Sequence, residues 1–96
     1  MESPVTFRQQ RRTDDTTREI GRLVERIIGQ LIDDSETCDV SFTQAGNLLL
    51  IEVVPGSPRA AGQLIGRNGR TIAALRTLST AVCAKYGWRA QLEIVA

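Results

Sequence analysis

Two apolar runs meet at Leu64-Ile65-Gly66-Arg67-Asn68-Gly69-Arg70-Thr71-Ile72, with a pair of glycines set three residues apart between them. A chain can accommodate such a corner in few ways. A hinge, a phosphate cradle and the bend of a helix-turn-helix are the candidates, and the segments on either side decide among them.

Upstream, Thr16 and Glu19 have capping-box spacing. Ile20, Leu23, Val24, Ile27, Ile28, Leu31 and Ile32 then recur at helical intervals as one stripe, which Asp33-Asp34-Ser35-Glu36 ends. Cys38, Val40 and Phe42 alternate with polar residues, the pattern of a half-buried strand. Gln44 to Asn47 supply a turn. Leu48 to Val54 is apolar except for Glu52, as expected of a strand inside a sheet. Pro55-Gly56-Ser57-Pro58 stops it and opens a short helix, with Ser57 as N-cap and Pro58 in the first helical position.

Gly66 ends that helix. After Gly69 a second one carries Ile72, Leu75, Leu78, Ser79, Val82, Cys83 and Tyr86 on one face, and Gly87 suits its left-handed close. Ala90, Leu92 and Ile94 alternate as a last strand. The expected class is α+β, in the order αββααβ.

That order removes several readings of the corner. A helix-turn-helix domain would be mostly helical. A dinucleotide fingerprint needs its glycines directly after a strand, whereas this corner follows a helix. A phosphate loop ending at Gly69-Arg70-Thr71 would need glycine where Leu64 stands.

Charge separates along the chain. The net charge is only +1. Residues 13–58 hold three arginines against nine acids, whereas residues 59–92 hold Arg59, Arg67, Arg70, Arg76, Lys85 and Arg89 and no acid. An anion-facing half, with nucleic acid as the usual anion, stands against a merely solvated basic face. Enzymatic readings fare badly: there is no histidine, hence no Ser-His or Cys-His pair and no zinc cluster. No catalytic residue, metal or cofactor is expected. Cys38 and Cys83 sit in periodic apolar segments and read as buried free thiols. No apolar run approaches the ~20 residues that span a bilayer, the N-terminus has no secretory pattern, and a cytoplasmic protein is expected.

The Gly66-Arg67-Asn68-Gly69 loop, with Ile65 before it, Arg70-Thr71-Ile72 after it and αββααβ around it, resembles the K-homology (KH) domain of the bacterial, type II kind. The small size is most similar to the KhpA group, and the loop region is similar also to the KH part of the KhpB (Jag) group. The resemblance implies a three-stranded sheet packed on one side by three helices, in a KH domain over 16–96; the residues before it, polar and without periodicity over 1–13, read as a mobile tail, 1–15. It also implies a loop that grips the backbone of single-stranded RNA.

Each loop residue has chemistry that fits. Gly66 can take a positive φ, and Gly69 admits a backbone to close range. The amides near Arg70 and Thr71 open a helix and suit a phosphate. Arg67 adds a charge and Asn68 donors and acceptors, although relatives often carry a second basic residue there. By resemblance, Gln63 and Ile65 are candidates for the wall of a base-binding groove and Arg59 for its rim. Gly62 reads as a helix-packing glycine, Trp88 as a packing residue with base stacking as the alternative, and Phe7, Arg8, Arg11 and Arg12 as a solvated tail or weak RNA contacts.

Two other function classes stay open, a protein-interaction module of KH fold and a binder of single-stranded DNA. Ala73, Ala74, Thr77, Thr80, Ala81 and Ala84 form a small-residue face that could pair two copies, or this chain with a KhpB-like partner. The resemblance further implies a post-transcriptional regulator or RNA chaperone.

Overall fold

The stripe predicted for the first helix does form one. The computed structural model describes residues 15–95, together with the backbone of residues 5–9. Helix α1 (Asp15–Leu31) buries Thr17, Ile20, Val24 and Ile28, at the i, i+3, i+4 spacing that collects one face. It begins one residue before Thr16, so Thr16 lies inside the first turn and not at the N-cap; the capping position lies outside the described residues.

The three expected strands form, β2 (Cys38–Ala45), β3 (Leu48–Pro55) and β4 (Arg89–Ile94), and β3, though near-continuously apolar in sequence, buries alternate residues on one face. β2 and β3 form an antiparallel hairpin, with Phe42 opposite Ile51. β4 adds parallel to β3, with Ile51 opposite Leu92. Phe42, Ile51 and Leu92 therefore share one row and one face, which meets α1 and the later helices in a single core. Cross-strand neighbours one residue along, Ser41, Glu52 and Glu93, fall on the other face.

A fourth strand, β1 (Val5–Gln9), lies within the segment read as a mobile tail. It runs parallel to β2 and extends the sheet to the order β1-β2-β3-β4. Its partner is reached only through α1, so no adjacent turn or hairpin marks it in the sequence. Arg11 and Arg12 lie outside the described residues, and of Phe7 and Arg8 only the backbone is described.

Helix α2 (Pro58–Ile65) starts as its sequence requires. The Ser57 hydroxyl oxygen accepts from the Ala60 amide at 3.0 Å, and Pro58 follows it. Helix α3 (Arg70–Ala84) closes in a full Schellman motif: the Trp88 amide donates to Cys83 O and the Gly87 amide to Ala84 O, both at 3.0 Å, with Gly87 at φ +75°. Arg76 Nε donates to Leu92 O at 3.3 Å and ties α3 to β4.

Candidate nucleic-acid interface

The corner between α2 and α3, Gly66–Gly69, is a tight turn closed by i to i+3 backbone hydrogen bonds, from the Gly69 amide to Gly66 O and from the Arg70 amide to Arg67 O. Three of its four residues have positive φ: Gly66 at +77°, Asn68 at +58° and Gly69 at +71°. Asn is among the few non-glycine residues that accept this region. The amide of Gly66 donates to Gly62 O at 2.9 Å and that of Gly69 to Gly66 O at 3.1 Å, so the loop is held by its own backbone.

Gly66 is doubly required. Its ψ of 172° puts it in a region open essentially to glycine. A β-carbon there would also collide with the Thr71 hydroxyl and lie 2.6 Å from Thr71 Cβ. Thr71 thus packs the end of α2 onto the start of α3. At Gly69 an added β-carbon would meet only Ile72, at 4.0 Å, so its dihedrals and not its surroundings ask for glycine.

The start of α3 is electrically open. Gly69 caps it without a side chain, and no acid lies in its first turn. Arg67, Asn68 and Arg70 are exposed beside it, and neither arginine is ion-paired among the described residues. A concentration of backbone donors and two free guanidinium groups is a good receptor for a phosphate.

From this corner a groove of about 590 Å³ runs along α2, lined by Pro55, Gly56, Ser57, Pro58, Ala61, Gly62 and Ile65. Ile65 is 42% exposed where groove and loop meet. Gly62 was expected to let helices pack closely, and the structure corrects this. It is exposed, and a β-carbon added to it would meet nothing within 4 Å. The absent side chain opens the groove instead.

Arg59 and Gln63 face elsewhere. Arg59 Nη2 donates to Asp33 Oδ2 at 2.7 Å, and the Asp33 amide donates to Gln63 Oε1 at 3.0 Å. These residues, four apart, share the face of α2 that holds the exit of α1. Residues 58, 61, 62 and 65 form the neighbouring face. Helical periodicity alone draws that division, whereas the family resemblance assigns Gln63 to the groove wall and Arg59 to its rim.

The hydrogen bonds from Arg59, and after them the neighbouring Gln63 side chain, hold the Asp33 carboxyl below its ordinary 3.8. Further along the same loop, Glu36 accepts from the Ser57 hydroxyl at 3.0 and 2.9 Å, and the Gly56 amide donates to Thr37 O at 2.9 Å.

Cys38 and Cys83 are free and buried. Burial, aided by the Asp39 charge, pushes the Cys38 thiol up to about 11, and burial raises that of Cys83 as well. Both are neutral packing groups near pH 7. Trp88 packs partly against the core. No helix among the described residues is long and apolar enough to cross a membrane.

An αββααβ domain whose two middle helices meet at Gly-x-x-Gly defines a type II KH domain. The family described as KhpA/KhpB, KH domain, matches this chain over residues 21–94. Among curated proteins, the RNA-binding protein KhpA of Halalkalibacterium halodurans is 37% identical over 73 residues, 76% of this chain and 95% of its own length. That of Chlamydia pneumoniae is 35% identical over 69 residues, 72% of this chain and 87% of its own. That of Aquifex aeolicus is 34% identical over 73 residues, 76% and 91% respectively. No solved structure matches. The chain belongs to the KhpA/KhpB family of KH domains.

Proposed function

We propose that this chain is a non-catalytic binder of single-stranded RNA, gripping the backbone at Gly66–Gly69 and seating bases along the α2 groove. One observation carries the reading. A corner with open backbone, a helix start capped by glycine alone and two arginines with no ion pair among the described residues stands at the mouth of an apolar groove. The relatives named RNA-binding proteins supply the ligand class.

In this reading Arg67, Arg70 and the amides around Thr71 hold phosphate, Asn68 and Gly69 let the ribose chain pass, and Ile65 contacts a base. Arg59 and Gln63 hold the groove's rim by fastening the loop after α1. The cellular role is that of a cytoplasmic post-transcriptional regulator or RNA chaperone.

Arg67→Asp with Asn68→Asp tests it. Aspartate tolerates the positive φ at position 68, and both positions are exposed, so stability should stay within about 0.5 kcal/mol. Affinity for single-stranded RNA should fall about tenfold or more, from loss of a charge-assisted contact and added repulsion. The salt slope should drop by about one unit. Unchanged RNA affinity in the folded variant overturns the proposal, and equal affinity for DNA of the same sequence moves it to single strands in general.

Pairing through α3 belongs to the same reading. Ala73, Ala74, Thr77, Thr80, Ala81 and Ala84 are all exposed, and Leu78 beside them is 51% exposed. Small residues admit a second backbone, and an exposed leucine gives it something to bury. A homodimer, or a heterodimer with a KhpB-like KH protein, would set two short grooves on one RNA.

A further inference from the structure

The far end of α3 gathers a second set of groups suited to single-stranded RNA. Lys85-Tyr86-Gly87-Trp88-Arg89 places two cations and the chain's one tyrosine and one tryptophan within five residues. The Schellman hydrogen bonds fix this turn, so its side chains are presented by a rigid backbone. Trp88 is anchored partly against the core. The Tyr86 ring stands 6.1 Å from it, centroid to centroid, and is 38% exposed.

Lys85 and Arg89 are exposed, with no ion pair among the described residues. The Lys85 ammonium lies 5.4 Å from the Tyr86 ring centre. Beside the turn opens a cleft of about 520 Å³, where Tyr86 and Lys85 meet Leu23, Ala81, Val82 and Glu19. Its walls are apolar apart from those two charges. The Glu19 carboxylate disfavours phosphate inside, which leaves the cleft to an uncharged base.

Fifteen residues of α3 separate this turn from the Gly66–Gly69 corner, a distance of about 22 Å at 1.5 Å per residue. The roughly four nucleotides held by one KH groove do not reach it. We propose that Tyr86, flanked by Lys85 and Arg89, forms a second contact for the same RNA strand. One base stacks on the ring, and the two cations take the adjoining phosphates. This rests on the RNA-binding reading but on different residues, and it lengthens the footprint past the groove.

Single-stranded RNAs of mixed sequence, about five and about twelve nucleotides long, test it on the intact protein. Nuclear magnetic resonance titration reads affinity, and Trp88 fluorescence reports the turn. The longer RNA should bind more tightly and quench Trp88, whereas the shorter should leave it bright. Tyr86→Ala should lower affinity for the longer RNA about fivefold or more, the loss of one stacked base, and leave the shorter unaffected. Tyr86→Phe should retain binding. Lys85→Glu with Arg89→Glu, at exposed positions that the fold does not need, should repeat the length-selective loss if Tyr86→Ala melts early.

A folded Tyr86→Ala protein that binds the longer RNA like wild type overturns the inference, as does equal weakening at both lengths or a Tyr86→Phe protein as weak as the alanine variant. The Arg67→Asp, Asn68→Asp protein should lose affinity at both lengths. Failure of that arm alone strikes the groove reading and leaves the turn's result standing.

Discussion

Gly62 and Gly66, four residues apart, are glycines for opposite reasons. Gly66 serves the fold, because its dihedrals and the Thr71 side chain both exclude a β-carbon. Gly66→Ala should therefore cost about 1–3 kcal/mol, seen as a lower denaturant midpoint with unchanged slope. Gly62 serves the groove. A glycine inside a helix is less favourable than alanine by about 0.8–1.0 kcal/mol, and nothing packs where its side chain would be. Gly62→Ala should raise the melting temperature and weaken RNA binding together. A stabilised variant with full affinity would show that bases do not lie against α2 at this point. The loop residues were legible from sequence because glycine spacing between two helical runs is a local signal. The groove residues were not, because Pro58, Ala61 and Gly62 carry no chemistry by type and matter only through the face they share.

At the scale of elements, α2 is fastened at both ends. Thr71 holds its end, and the loop after α1 holds its beginning through Asp33, Glu36 and Thr37. The Asp33 link is sensitive to acid. Its carboxyl titrates below the ordinary 3.8 in the folded protein, so its contribution is present above that value and is lost as pH falls through the lower, folded one. Thermal melts of wild type should decline more steeply than those of Asp33→Asn below about pH 3.8, and the two curves should converge at the acid end. Parallel curves over that range would mean the pair adds nothing, as many exposed pairs do. Helices and the central hairpin could be read ahead because each carries its own periodicity and its own stop signals. β1 could not, since a five-residue strand declares itself only through a partner on the far side of α1.

Over the whole molecule, the acid-free stretch from Arg59 to Leu92 becomes α2, the corner, α3 and most of β4. It holds both proposed RNA contacts and the small-residue face of α3. Ala81→Arg sets a charge and bulk on that face without touching the corner. Light scattering should show wild type as a dimer and the variant as a monomer, with binding to a short RNA retained by each. A wild type that stays monomeric at every concentration rules out self-pairing.

The sheet's connectivity bears on how the protein is made. Among the described strands, the β2–β3 hairpin alone is joined by a turn; both outer strands pair in parallel, across one helix on one side and two on the other. A nascent chain leaving the ribosome can close that hairpin early, yet β1 must wait for β2, and β3 waits for β4 until both α2 and α3 have emerged. Helix α3, which opens at the corner, is thus synthesised before the strand it packs against, and its seating on the sheet is delayed until β4 has emerged.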